Sequence, residues 1–90
     1  MKTKKRMAQE IKEKLELSGF KCALTGWKLD PENFELDHIV SINDGGKHEP
    51  ENLQCVHALV NKAKGTMGNE QFISMCKAVA DQAKRRELGL

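Results

Sequence analysis

The sequence predicts a small α+β domain: a two-stranded antiparallel hairpin and a short helix, flanked by an N-terminal and a C-terminal helix. Three observations predict this. Apolar residues recur at helical spacing at about 4–18 and 69–88. Residues 34–40 alternate apolar and polar side chains, as a half-buried strand does. Residues 43–46 read Asn-Asp-Gly-Gly, which favours a turn because these residues tolerate positive φ.

The length of 90 residues suits one domain, since most single cores take about 50–250 residues. We therefore expect a single domain at 1–90, with its central part at about 22–65. The first helix is indicated by Met7, Ile11 and Leu15, and Gly19 is placed to end it in a left-handed conformation.

Residues 20–33 contain turn formers, so short turns and extended pieces are expected there. Trp27 and Leu29 are expected to anchor this stretch to the core. In the following strand we expect Phe34 and Leu36 to face inward.

Either Ile39 or Val40 is expected to face inward after them. A return strand is predicted at 52–56, and a helix at 58–64 that Gly65 terminates.

Asn69 or a near neighbour is expected to cap the last helix. That helix has an apolar stripe, which we expect to be core: Phe72, Ile73, Met75, Cys76, Val79, Ala80 and Ala83. Cys76 is therefore interpreted as a buried, inert thiol.

The formal charge is +2, from 15 basic and 13 acidic residues, which is too balanced to indicate a nucleic-acid partner by itself. Three cysteines, with no apolar leader, argue against a secreted disulfide scaffold, so we expect a cytoplasmic protein. No apolar run reaches the roughly 20 residues that cross a bilayer, so no membrane association is expected.

Three residues have side chains suited to metal-assisted hydrolysis. Asp37 and His38 are neighbours on a predicted strand, so their side chains leave it on opposite sides. One can hold a metal ion while the other addresses a water. Asn61, on the helix over the hairpin, can supply a second oxygen ligand of the kind that a hard divalent cation prefers. A neutral histidine can accept the proton of the water.

The order of these residues resembles the HNH endonuclease family, with its ββα-metal fold, over about 22–65. The resemblance rests on four motifs in the expected order: Asp37-His38, Gly45-Gly46, Asn52-Leu53-Gln54 and Asn61-x-x-Lys64-Gly65. It implies an enzyme that hydrolyses DNA phosphodiester bonds to products with a 5′-phosphate. It also implies one divalent metal ion, Mg²⁺ by preference, which Mn²⁺ can replace.

By this resemblance His38 is the general base and Asp37 a metal ligand. Asn52 is the middle asparagine, whose side chain holds the loop and helps to orient His38. Asn61 is the second metal ligand, which makes the chain a His-Asn-Asn variant.

Lys64 and Lys62 are predicted to contact DNA phosphates, with a solvated helix surface as the alternative. His57 is predicted either to face the substrate or to be a satisfied structural histidine. His48 is interpreted as an exposed loop residue.

Relatives with a structural zinc have paired Cys-x-x-Cys units, whereas this chain has Cys22-x-x-Thr25 and His57-x-x-Val60. Threonine and valine cannot close a tetrahedral zinc site, so no structural zinc is expected. Thr25 and Gly26 are instead expected to form a tight turn.

Two other functions compete with the nuclease. The first is a noncatalytic DNA-binding or assembly module that keeps the hairpin and helix. The second is a redox or zinc-binding regulator, which the lack of a Cys-x-x-Cys unit disfavours. A homodimer would suit double-strand cutting, because antiparallel strands need two oppositely directed centres, whereas a monomer would nick.

Overall fold

The structure of the chain is a computed structural model that describes residues 4–90, with side chains from residue 6 onward. Helix α1 spans Lys4–Leu17, strands β1 and β2 span Phe34–His38 and Leu53–His57, and helices α2 and α3 span Ala58–Lys64 and Asn69–Glu87. The predicted α+β class, with a hairpin, a short helix and a helix at each end, is confirmed.

The two strands form an antiparallel sheet in which Phe34 lies opposite His57 and His38 opposite Leu53. The loop between them contains two short 3-10 helices, Ile42–Asp44 and Pro50–Asn52. His38 therefore stands at the end of β1, where the chain leaves the sheet for this loop.

Helix α1 lies against β2. Its residues Ile11 and Leu15 pack on the core. The Nζ atom of Lys14 donates hydrogen bonds to the carbonyl oxygen of Leu53, at 2.8 Å, and to that of Pro50. The helix ends as predicted near Gly19, which adopts a left-handed φ of 70°.

The buried core comes from the segment after α1 and from β2, α2 and α3: Cys22, Leu29, Cys55, Val56, Val60 and Phe72. Leu29 anchors the segment after α1, as predicted, whereas the expectation for Trp27 is wrong because half of its surface is exposed. Burial raises the pKa of the Cys55 thiol, against the opposing effect of the Lys14 charge, so this cysteine is an unreactive part of the core.

The predicted orientation of β1 is wrong at its centre. Leu36 is 40% exposed, and the adjacent carboxylate of Asp37 is the buried side chain, at 6%. The reason is that α2 covers the Asp37 face, whereas α1 only borders the opposite face. There Phe34 and Leu36 line an open apolar groove beside Ile11 and Leu15. Of the two residues after the strand, Ile39 is half-buried and Val40 is exposed.

Gly65 follows the last residue of α2 with a φ of 59°, which confirms the predicted end of this helix. Helix α3 has Gly68, a near neighbour of Asn69, as its N-cap residue, and no side chain forms a cap hydrogen bond there. The Asn69 side chain bonds Gln54 instead.

The predicted core stripe of α3 is also wrong: Phe72 is buried, whereas Cys76 and Val79 are exposed, Val79 by 64%. A helix of 19 residues is about 28 Å long, more than this small core can cover. Within residues 4–90, none of the helices is both long and apolar enough to span a membrane.

Two valine-to-alanine variants test this assignment of the core. Val56 is 0% exposed. Its replacement by alanine removes two buried methyl groups and leaves a cavity, so Val56→Ala should lower the free energy of unfolding by about 2 kcal/mol. Val79→Ala is the matched control on α3, and its effect should stay within about 0.5 kcal/mol. Urea denaturation measures both. A larger loss for Val79→Ala than for Val56→Ala would contradict the exposed position of α3.

Candidate active site

An open cavity of about 180 Å³ lies where β1 ends. Asp37 and His38 both line it, although their side chains leave the strand on opposite sides, because the chain turns into the loop at this point. The other lining residues come from the start of the loop and from the segment after α2: Ser41, Ile42, Asn43, Gly65, Thr66 and Met67.

The carboxylate of Asp37 is held by two donors. Its Oδ2 atom accepts hydrogen bonds from Nζ of Lys64 at 2.7 Å and from Nε2 of Gln54 at 2.8 Å. Both bonds fall on the same oxygen, so Oδ1 is the oxygen of Asp37 that remains for another cation.

The structure corrects the prediction for Lys64. Its side chain is 0% exposed, and its Nζ atom also donates to the backbone carbonyl oxygen of His38 at 2.7 Å. The lysine is therefore neither solvated nor in reach of a DNA phosphate. A buried ammonium is tolerated only when it is paired and hydrogen-bonded. Asp37 supplies the opposite charge, and the carbonyl oxygen of His38 accepts a further hydrogen bond.

A pair of amide side chains extends this network to α3. Nε2 of Gln54 donates to Oδ1 of Asn69 at 2.7 Å, and Nδ2 of Asn69 donates back to Oε1 of Gln54 at 3.0 Å. Sequence reasoning gave the Gln54 side chain no role and expected Asn69 or a near neighbour to cap α3. The sequence did contain a sign that Gln54 has a partner, because it is the one polar residue among the apolar residues at 53–56, all of which are buried in β2.

The imidazole of His38 is half-buried, and its Nε2 atom lies 3.0 Å from Nδ1 of His48. His48 is exposed, as predicted, but its contact with the candidate base was missed. Ten residues separate the two histidines, so only the path of the loop brings them together.

Asn52 fastens the loop to the end of β1. Its Oδ1 atom accepts from the backbone N–H of Val40 at 2.9 Å. Its Nδ2 atom donates to the carbonyl oxygens of Val40 at 3.0 Å and Lys47 at 2.8 Å. Gly46 permits this close approach, because a Cβ atom there would collide with the Val40 carbonyl oxygen and lie 2.8 Å from Nδ2 of Asn52.

The structure does not bring Asn61 into the cavity that Asp37 and His38 line. Its Nδ2 atom donates to Oε1 of Glu35 at 2.7 Å. Glu35 and Asp37 are two residues apart on β1, so both project toward α2, which contacts them through Asn61 and Lys64. The amide oxygen of Asn61 therefore lies on the same side of the sheet as the Asp37 carboxylate.

These side chains have the chemistry of a hard-cation site. Carboxylate and amide oxygens are the ligands that Mg²⁺ prefers. The carboxylate of Asp37 already binds one cation, the ammonium group of Lys64. Over residues 4–90, no three His, Cys, Asp or Glu side chains form a cluster that could hold a metal. A metal at Asp37 therefore needs amide, water or phosphate oxygens to complete its coordination.

His57 has a structural contact, which is one of its two predicted roles. Its Nδ1 atom accepts from the backbone N–H of Leu59 at 3.0 Å and so caps α2, while its ring packs edge-on against Trp27 with centroids 5.5 Å apart. Nε2 is the ring nitrogen that remains for a substrate. Lys62, on the same helix, is exposed.

The segment around Cys22 forms the tight turn that was predicted: Gly26 has a φ of 76°, and its N–H bonds the Cys22 carbonyl oxygen at 2.9 Å. Burial raises the pKa of the Cys22 thiol, but hydrogen bonds from the Thr25 hydroxyl and from the backbone outweigh this and lower it. Thr25 is therefore a hydrogen-bond partner of the Cys22 thiol.

Comparison with known proteins identifies a family for this chain. The model of the family described as HNH endonuclease matches residues 19–66, which is more than half of the chain and includes both strands, the loop and α2. A search of curated proteins finds no match. With its hairpin, its Asp37-His38 pair and its covering helix in this arrangement, the chain belongs to the HNH endonuclease family.

Proposed function

We propose that this protein is a metal-dependent endonuclease that hydrolyses phosphodiester bonds in DNA. The main support is that a carboxylate, Asp37, and an imidazole, His38, line one open cavity in a chain of the HNH endonuclease family. A scissile phosphate in that cavity would meet both groups at once.

In this proposal Asp37 would hold one divalent ion through Oδ1, Mg²⁺ by preference or Mn²⁺ in its place. Asn61 would become the second ligand, through its amide oxygen, once its side chain turns from Glu35 toward Asp37. The ion, when bound, neutralises charge on the phosphate and on the leaving oxygen. Lys64 keeps Oδ2 of Asp37 fixed, so the carboxylate is oriented before any metal arrives.

His38 acts as the general base and takes a proton from the attacking water. The backbone at His38 is held in place by two hydrogen bonds. Nζ of Lys64 donates to the His38 carbonyl oxygen, and the N–H of Val40, two residues later, donates to Oδ1 of Asn52. Such positioning matters because a misplaced base loses most of its effect.

The substrate contacts are proposed at Lys62 and at Nε2 of His57. Lys64 is excluded from this set, because its ammonium is buried. A monomer with one such centre would nick duplex DNA, whereas a two-fold homodimer would cut both strands.

A second function has one observation in its favour. Lys64 already neutralises Asp37, as expected of a domain that keeps the fold and binds DNA without cutting it. Plasmid cleavage with Mg²⁺ or Mn²⁺, with and without a chelator, separates the two functions. Chelator-sensitive nicked or linear product supports the nuclease, and intact plasmid under all conditions supports the binding module.

His38→Ala should lower the rate of plasmid cleavage by about 10²-fold to 10⁴-fold, because the water loses its general base. DNA binding should remain, since the substitution removes no charge that the fold needs. Cleavage time courses and gel-shift titrations measure the two effects. The chelator-treated wild-type protein sets the background rate, and cleavage by His38→Ala at the wild-type rate would exclude His38 as the base.

Lys64→Met tests whether Asp37 binds a metal, independently of activity. The variant leaves a buried carboxylate unpaired and should lose about 3–5 kcal/mol of stability. Mn²⁺ should then raise its melting temperature more than it raises that of the wild-type protein, because the ion replaces the missing positive charge.

Two further variants serve as controls for Lys64→Met. The double variant Asp37→Asn, Lys64→Met has no charge at the site, so Mn²⁺ should no longer stabilise it. Lys62→Met removes an exposed lysine from the same helix and should respond as the wild-type protein does. An equal Mn²⁺ response in all four proteins would refute Asp37 as a ligand.

A further inference from the structure

We propose that His48 is a positioning residue for the base: it accepts a hydrogen bond from Nε2–H of His38 and so keeps Nδ1 of His38 unprotonated. This inference rests on the proposed nuclease function and adds a residue to its machinery. His48 lies in the loop between the strands, ten residues after His38.

The distance between the rings fits a hydrogen bond. Nε2 of His38 and Nδ1 of His48 are 3.0 Å apart, with the ring centroids 5.2 Å apart and the planes tilted by 51°. One of these nitrogens must therefore hold a proton and the other a lone pair, because two lone pairs or two protons would repel each other at this distance.

Two neutral rings allow two placements of that proton. If His48 donated through Nδ1, His38 would keep its own proton on Nδ1 and would have no lone pair left for catalysis. If His38 donates through Nε2, its Nδ1 has the lone pair that a general base needs. Base catalysis by His38 is therefore compatible only with His48 as the acceptor.

The same hydrogen bond becomes stronger during the reaction. An O–H bond of the water breaks, its proton goes to Nδ1 of His38, its oxygen bonds phosphorus, and the bond from phosphorus to the 3′ oxygen breaks. The 3′ oxygen then takes a proton from solvent. His38 becomes a cation as this happens, so its bond to His48 becomes charge-assisted. An interaction that strengthens in the transition state raises kcat rather than lowering KM.

The loop holds His48 in place. Nδ2 of Asn52 donates to the carbonyl oxygen of Lys47, the residue just before His48, at 2.8 Å. Pro50, two residues after His48, is buried, and its carbonyl oxygen accepts a hydrogen bond from Nζ of Lys14 on α1. The ring of His48 is exposed, so its replacement should leave the fold intact.

Steady-state cleavage of a DNA substrate with Mg²⁺ tests the inference. His48→Ala should lower kcat by about 10-fold and leave KM nearly unchanged, because the ring of His38 loses its orientation but the substrate loses no contact. His48→Asn should recover most of the loss, since its amide oxygen is an acceptor close to the position of Nδ1. Glu49→Ala, which changes an exposed neighbour whose side chain caps nothing, should behave as the wild-type protein.

The outcomes distinguish this inference from the proposed function. If the wild-type protein cleaves and His38→Ala does not, an unchanged kcat for His48→Ala overturns the role of His48 alone. A rise in KM without a fall in kcat would make His48 a substrate contact and also overturns it. An equal loss of kcat in Glu49→Ala would attribute the effect to a change in the loop and would also overturn the role of His48. If the wild-type protein cleaves under no condition, the proposed function fails and this inference fails with it.

Nitrogen NMR of protein labelled with ¹⁵N-histidine gives a readout that needs neither metal nor DNA. The chain has three histidines, so the ring signals can be assigned by substitution. We expect a scalar coupling through the hydrogen bond between the two rings, a proton on Nε2 of His38, and loss of the coupling in His48→Ala. A proton on Nδ1 of the neutral His38 ring would overturn the inference.

Discussion

A buried ion pair joins the first strand of the core to the helix that covers it. Lys64 is fully enclosed, and its ammonium meets Oδ2 of Asp37 and the carbonyl oxygen of His38, each at 2.7 Å. Neither charge could stay buried without the other, so the packing of α2 and the orientation of the candidate metal ligand depend on the same contact. This pair also explains why β1 buries an aspartate and exposes Leu36.

The conformation of the loop between the strands depends on Asn52 in a comparable way. One amide side chain bonds the backbone at Val40 on one side and at Lys47 on the other, and Gly46 gives it the necessary space. The loop is thereby closed against the end of β1. This closure brings His48 beside His38, so the surroundings of the candidate base depend on a residue whose side chain bonds the loop backbone.

Helix α3 contributes to the site through its first turns alone. Asn69 bonds Gln54, which bonds Asp37, and Phe72 fills the core. Beyond that point the helix leaves the body of the protein and exposes apolar side chains such as Val79. The family match ends at residue 66, so the contact of Asn69 with this network is an addition outside the matched region.

The sequence by itself determined the elements and their order, because helical spacing, strand alternation and glycine punctuation are local properties. The order of residues along the chain also indicated Asp37, His38, Asn52 and Asn61 as candidates for the site. Which side chains are buried was decided by tertiary structure.

The last helix shows why. Its apolar stripe is genuine, but a 19-residue helix on a small core has too little partner surface to bury it. Lys64 is a second example, because a lysine on a short helix is expected at the surface. Only the position of α2 over β1 directs its side chain inward to Asp37. The contact of His48 with His38 depends on how the loop closes, which no local pattern encodes, because hydrogen bonds across ten or more residues form only when the whole fold is in place.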